Sequence, residues 1–314
     1  MIKLYEKKNI KIKFSQQIKD YYFNKTKYFS MQSIEQFLNY FLPISKFNYI
    51  IIDNNNEKTD IMIYDIQSDL NTLFKNDTIN ILICIENCLK WNHYNHYNIY
   101  GDYGNKFVNI YIYNHTTNLY KTDNYISIPT IYNFINYFKN NYEDIKPSQI
   151  TPYKSKKFCL IINKSSLNND IFNFQEKLKK IDVVDNINLY NDEISNKSCY
   201  HSLELINVFN KYKFILCIEN SYSDGYITEK IFNCFYARTI PLYKGSPIIK
   251  KYLNDLSFID LNDNDDRSFK TIEMLNNNEN YYNKIIEHYK ISTLFDDENY
   301  KEELYKFISN KLSK

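Results

Sequence analysis

The chain has 314 residues, with 37 acidic and 39 basic side chains and a formal net charge of +2. That near-balance excludes a nucleic-acid binder built on bulk positive charge, which would show a large cationic excess. Apolar residues make up 44% of the chain, enough for packed cores and against global disorder, while 4 Gly and 6 Pro exclude collagen-like and Pro/Gly-rich low-complexity architectures.

In chain order, the first 14 residues alternate Lys with apolar side chains and read as an edge strand rather than a signal peptide. Further strands are expected at 49–52, 61–64, 79–85, 108–113 and 125–128, and helices at 31–42, 65–74 and 132–142. The polar run 53–60 reads as a loop. The segment 144–157, D-I-K-P-S-Q-I-T-P-Y-K-S-K-K, holds two of the six Pro and is the best linker candidate. Placing the linker at 147–157 divides a domain at 1–146 from a second at 158–292, as expected at roughly 150 residues per domain. In the second half, strands are expected at 158–162, 183–184, 214–218 and 239–243. Helices are expected at 168–180, 202–212, 228–237, 248–253 and 269–289. A last helix at 298–312, within a tail at 293–314, carries Leu304, Phe307, Ile308 and Leu312 on one face and is expected to pack on the body.

Six Cys (84, 88, 159, 199, 217 and 234) show no CxxC spacing, and those inside apolar runs read as buried small hydrophobes. No apolar run approaches the ~18 residues a membrane span requires, so no span and a soluble, cytoplasmic protein are expected. Ile, Asn, Lys and Tyr dominate, and only Arg238 and Arg267 are arginine. In such a composition Tyr clusters and the sequons at Asn114, Asn163 and Asn196 carry little information.

Alternation of short apolar strands with amphipathic helices argues for βαβ units and parallel sheets. Continuously apolar strands such as I-L-I-C-I (81–85) and F-I-L-C-I (214–218) fit sheets covered on both faces. The expected fold class is therefore α/β with two doubly wound domains. In such sheets ligands lie beyond the carboxyl ends of the strands. Both of these runs end in Glu-Asn, at Glu86-Asn87 and Glu219-Asn220.

The informative stretch is 212–247, Y-K-F-I-L-C-I-E-N-S-Y-S-D-G-Y-I-T-E-K-I-F-N-C-F-Y-A-R-T-I-P-L-Y-K-G-S-P. A buried strand ends at Glu219-Asn220, a polar loop with Gly225 follows, and a helix opens near Thr228. The helix start offers N–H groups and a positive dipole end to an anion, and Lys230 in its first turn adds a full charge. Glu229 could accept from vicinal hydroxyls, and Tyr226 offers an aromatic face and a hydroxyl. A capped surface helix with an ordinary first-turn Glu fits the same residues, since neither GxGxxG nor a Walker pattern is present.

The order F-I-L-C-I-E-N, Y-I-T-E-K-I-F and T-I-P-L-Y-K-G-S-P resembles the signature of the α-1,3-fucosyltransferases, glycosyltransferase family 10. The resemblance implies two Rossmann-like domains of the GT-B type facing a central cleft, with GDP-fucose held by the C-terminal domain and an acceptor glycan by the N-terminal one. It places Asn220, Tyr226, Glu229 and Lys230 at the donor, with Lys230 toward the pyrophosphate and Glu229 on the ribose hydroxyls. The stretch I-L-I-C-I-E-N-C resembles the family strand whose terminal Glu is the general base, here Glu86, and Y-I-S-I-P-T-I-Y (125–132) resembles the segment closing the first domain. The implied reaction is inverting transfer by single displacement.

One position departs from the family pattern: where the family carries an Arg on the helix after the first donor-domain strand, this chain has Ile171, and Lys164 is the candidate substitute. The aromatic stretch 91–103 follows Glu86, so Trp91 and Tyr94 are candidates for the acceptor rim, although Tyr-rich composition and ordinary packing explain that stretch equally well. No metal is required: Asp263-Asn264-Asp265-Asp266 reads as a solvated turn, and His93 with His96 lacks further ligands at clear spacing. Another GDP-sugar as donor, or a non-catalytic carbohydrate-binding relative, are the alternative readings. No nucleic-acid partner is expected.

Overall fold

The structure, a computed structural model, describes residues 8–14, 47–52, 57–65, 78–83, 109–112, 125–128, 142–163, 169–188, 203–220, 226–262, 266–288 and 290–292, with single positions between 131 and 139 and between 302 and 313. The expected helices at 31–42 and 65–74 lie outside the described residues, apart from Asp65. Two units are resolved by contact: Met1–Asn133 with Asp296–Lys314, and Phe134–Phe295.

The first unit carries six parallel strands, β1 (Asn9–Phe14), β2 (Asn48–Ile51), β3 (Ile61–Asp65), β4 (Ile79–Ile83), β5 (Asn109–Ile112) and β6 (Tyr125–Ile128), in the order β2-β1-β3-β4-β5-β6. The alternation in N-I-K-I-K-F puts Ile10, Ile12 and Phe14 in the core, where each apolar side chain contributes about 1.5–3 kcal/mol. The expectation of an edge strand here is corrected: β1 pairs with both β2 and β3. Lysines at every second position report one wetter face of the sheet. They say nothing of whether the hydrogen-bonding edges are paired.

The second unit holds β7 (Lys157–Asn163), β8 (Val184–Asn188), β9 (Tyr212–Ile218), β10 (Ile240–Lys244) and β11 (Ile259–Asp260), all parallel, in the order β11-β10-β9-β7-β8. Its helices are α1 (Asn169–Lys179), α2 (Leu203–Phe209), α3 (Glu229–Tyr236), α4 (Asp266–Asn276) and α5 (Glu279–Glu287). Phe214 and Leu216 of β9, with Ile240 and Leu242 of β10, face a cluster that includes Phe174 and Leu178 of α1, Ile272 and Leu275 of α4, and Tyr282 of α5. Ile215 and Cys217, of the opposite parity, are also buried. The continuous apolarity of β9 is thus explained by a sheet covered on both sides.

Three helix expectations change. The single helix at 269–289 is two, because Asn276-Asn277-Asn278 interrupts it and the Asn278 side chain accepts from Tyr281 N–H (3.1 Å), capping α5. The helix expected at 202–212 stops at Phe209, where the strand pattern of Tyr212–Ile218 takes over. The segment 248–253 contributes only a 3-10 turn, Ile249–Lys251.

The stretch read as a linker is pinned to the second unit. Ser148 and Thr151 donate their backbone N–H groups to the Asn207 and Asn210 side chains, at 2.8 and 2.7 Å. Lys156 Nζ donates to the carbonyls of Asn210 (2.5 Å), Arg238 (3.3 Å) and Tyr212 (3.4 Å). Arg238 itself adopts φ 53° at the end of α3. Its N–H reaches Phe235 O and that of Thr239 reaches Cys234 O, a Schellman closure in which Gly is the usual occupant. The Arg238 guanidinium lies over the Tyr142 ring (6.0 Å), a contact a glycine would lack.

Candidate functional site

Parallel connections bring the carboxyl ends of β9 and β10 beside the start of α3. Glu219 follows directly on β9, and its N–H donates to Lys244 O (2.9 Å) at the end of β10, which extends the ladder by one residue. Strand alternation then turns the Glu219 side chain to the face opposite Phe214 and Leu216. There its carboxylate is fully buried and accepts from three donors. Thr228 N–H reaches Oε1 at 2.8 Å, Thr228 Oγ1–H lies 3.1 and 2.8 Å from the two oxygens, and Lys230 Nζ reaches Oε2 at 2.8 Å. Lys230 Nζ also donates to Thr228 Oγ1 at 3.0 Å.

Thr228 stands at the N-cap of α3, with extended backbone dihedrals. An N-cap threonine ordinarily accepts from the first turn. Here the hydroxyl turns to the Glu219 carboxylate instead. Two thiols back the same turn: Cys217 Sγ lies 3.2 Å from Cys234 Sγ, and both sulfurs approach Lys230 O. Burial raises the Cys234 thiol pKa well above its ordinary value, so the pair behaves as packing, as expected of cysteines inside apolar runs.

The turn after β10 completes the local architecture. A Cβ on Gly245 would stand 2.6 Å from Glu219 Cγ and 2.5 Å from the Tyr243 hydroxyl, so only glycine allows this approach. Tyr243 OH accepts from Ser246 N–H (3.1 Å). Burial and then the nearby Glu219 charge push its pKa well up, so the phenol stays neutral. From the other face, Lys244 reaches Asp170 in the first turn of α1 (3.4 Å) and lies over the Phe174 ring (5.1 Å).

The residues expected at the donor are distributed as follows. Lys230 retains 21% of its side-chain exposure, Tyr226 and Glu229 are nearly buried at the start of α3, and Asn220 is exposed one residue beyond Glu219. Ile171 packs against the core, so that position brings no cation to the site. Glu86, Lys164, Trp91 and Tyr94 lie outside the described residues. Glu219 was visible in sequence only as the residue closing an apolar strand, and Lys244 only as a lysine before Gly245. Their positions follow from register, which pairs Lys244 with Ile218. Among the described residues, no group of three His, Cys, Asp or Glu is placed to hold a metal ion, and no helix is long and apolar enough to cross a membrane.

Two parallel sheets in sequence-separate halves, with a charged helix start at a carboxyl edge, define an α/β protein of the GT-B fold class. Crystal structures of alpha1,3-fucosyltransferase share this fold. One superimposes with a TM-score of 0.63 at 17% identity, covering 98% of this chain and 91% of that one; another, solved with GDP-fucose, gives 0.62 at 19% identity, covering 100% and 93%. The sequence model described as glycosyltransferase family 10 (fucosyltransferase) C-term matches residues 151–308, and the chain belongs to that family. It is 38% identical over 87 residues to the alpha-(1,3)-fucosyltransferase FucT of Helicobacter pylori, covering 27% of this chain and 18% of that protein. It is 36% identical over 91 residues to alpha-(1,3)-fucosyltransferase B of Drosophila melanogaster, covering 28% and 20%. The matched segments thus span about a fifth of the length of these relatives.

Proposed function

We propose that the chain transfers fucose from GDP-fucose to a hydroxyl of an acceptor glycan by inverting single displacement. The observation that carries this reading is the Lys230 ammonium held at the opening of α3, beyond the carboxyl end of β9. Membership of the fucosyltransferase family and the names of the relatives supply the donor. In this reading Lys230 and the helix start stabilise the charge that develops on the departing diphosphate. Glu229 takes the ribose hydroxyls, and Asn220 and Tyr226 the diphosphate-sugar end. Lys164 replaces the cation that Ile171 does not provide. A lysine offers a point charge without the bidentate fork of arginine, so the diphosphate would be held less directionally.

Glu86 acts as general base on the acceptor hydroxyl as it attacks the anomeric carbon. Trp91 and Tyr94 form the acceptor rim, where aromatic faces suit the apolar faces of sugar rings. The scheme requires no metal ion.

The test is incubation with GDP-fucose over a glycan array, alongside thermal shifts with GDP, UDP and their sugars. The expected result is fucose transfer to a subset of glycans, with stabilisation by GDP and GDP-fucose and none by the uridine series. Stabilisation by GDP with another GDP-sugar as the sole productive donor would keep the fold assignment and change the substrate. Glycan binding with neither GDP binding nor transfer would establish the non-catalytic alternative.

A further inference from the structure

We propose that Glu219 is a positioning residue of the donor site: its buried carboxylate sets the place of the Lys230 ammonium and of the α3 start through which the donor anion is gripped. The proposal rests on the donor-site reading of Lys230. Glu219 has no solvent-exposed side-chain surface, yet it carries a charge, and every partner described for it belongs to the opening of α3. A buried carboxylate is costly unless compensated. Here the compensation comes from residues 228 and 230, on either side of Glu229. Gly245 reinforces the arrangement from the other side, because any side chain there would displace Glu219 Cγ. Strand β9 therefore reaches past its own end to fix a helix nine residues further along the chain.

The sign of the expected effect separates positioning from simple counter-charge. By Coulomb's law alone, removing a negative charge 2.8 Å from the lysine should tighten binding of an anionic diphosphate. If the carboxylate positions the ammonium, its loss should weaken binding. In Glu219→Gln the amide keeps the size of the side chain but turns an N–H donor toward the Lys230 or Thr228 donors, which expels them.

GDP affinity is measured by calorimetry for the wild-type chain, Glu219→Gln, Lys230→Met and the double variant, with folding checked by circular dichroism. Glu219→Gln should raise the Kd for GDP by roughly tenfold, a typical coupling for residues in one network. That loss should vanish in the Lys230→Met background. A purely structural role for Glu219 would give the same loss in both backgrounds, and would overturn the proposal. So would equal or tighter GDP binding by Glu219→Gln. If Glu219→Gln does not fold, Thr228→Val takes its place in the same cycle, removing the hydroxyl that touches both charges, with the same two outcomes deciding. Absence of GDP binding by the wild-type chain would instead remove the donor-site reading itself.

Discussion

Lys156 shows what a single charge costs when the chain buries it. Its ammonium satisfies three carbonyls at the junction of the 147–157 segment, β9 and the turn after α3, and burial lowers its pKa to about 8. Lys290, which donates to Ile285 O and Ile286 O at the end of α5, is lowered to about 8 by burial and then by Arg238. An unfolded lysine titrates near 10.4. Between those values the unfolded chain binds more protons than the folded one, so stability rises with pH across that window. Above about pH 10 the direction reverses, because burial raises the pKa of Tyr212 and Tyr282 and the unfolded chain then loses protons first. Thermal melting should therefore show the wild-type chain gaining about 1–2 kcal/mol per buried lysine from roughly pH 7.5 to 9.5. Lys156→Met should be less stable throughout and should rise less steeply over that range. An unchanged slope in the variant would mean that Lys156 is not charged in the folded protein.

Elements were legible where one period dominates. The ten strands expected from apolar runs all occur, because continuous apolarity in a short segment has few other solutions. The two-residue β11 carries too little pattern to stand out, and β8 was read as only two residues because its remainder, Asp185–Asn188, is mostly polar. It lies at the edge of the sheet, where polar side chains remain solvated. The long helix at 269–289 was misread because the apolar period runs through both α4 and α5, while the interruption depends on one asparagine side chain. Asn278→Ala removes that cap and should destabilise the second unit by about 1 kcal/mol, read as a lower midpoint in urea. Asn278→Ser should restore most of the loss, since a hydroxyl also caps. The donor motif was legible as strand, loop and helix. Glu219's partners were not, because they are fixed by which way a strand-end side chain points and by a glycine 26 residues further on.

At the scale of the whole chain, the proposed chemistry divides between the halves. Asn220, Tyr226, Glu229 and Lys230 belong to the unit built on β7 to β11, whereas Glu86 falls in sequence within the unit of β1 to β6. Binding of the donor and removal of the acceptor proton should then be separable by mutation. Glu86→Gln keeps size and hydrogen-bonding capacity but cannot take a proton, so transfer should fall by about 10²- to 10⁴-fold. GDP affinity should be unchanged, because only residues of the other unit are assigned to the nucleotide. Lys230→Ala should behave in the opposite sense, weakening GDP binding directly. The pair of measurements, turnover at saturating donor and GDP Kd by calorimetry, distinguishes the two roles. Full turnover in Glu86→Gln would move the base to another residue, and a parallel loss of GDP affinity would place Glu86 at the donor instead. A clean separation would mean that the first unit supplies proton transfer and acceptor geometry to a nucleotide grip that the second unit assembles from its own strand ends and the start of α3.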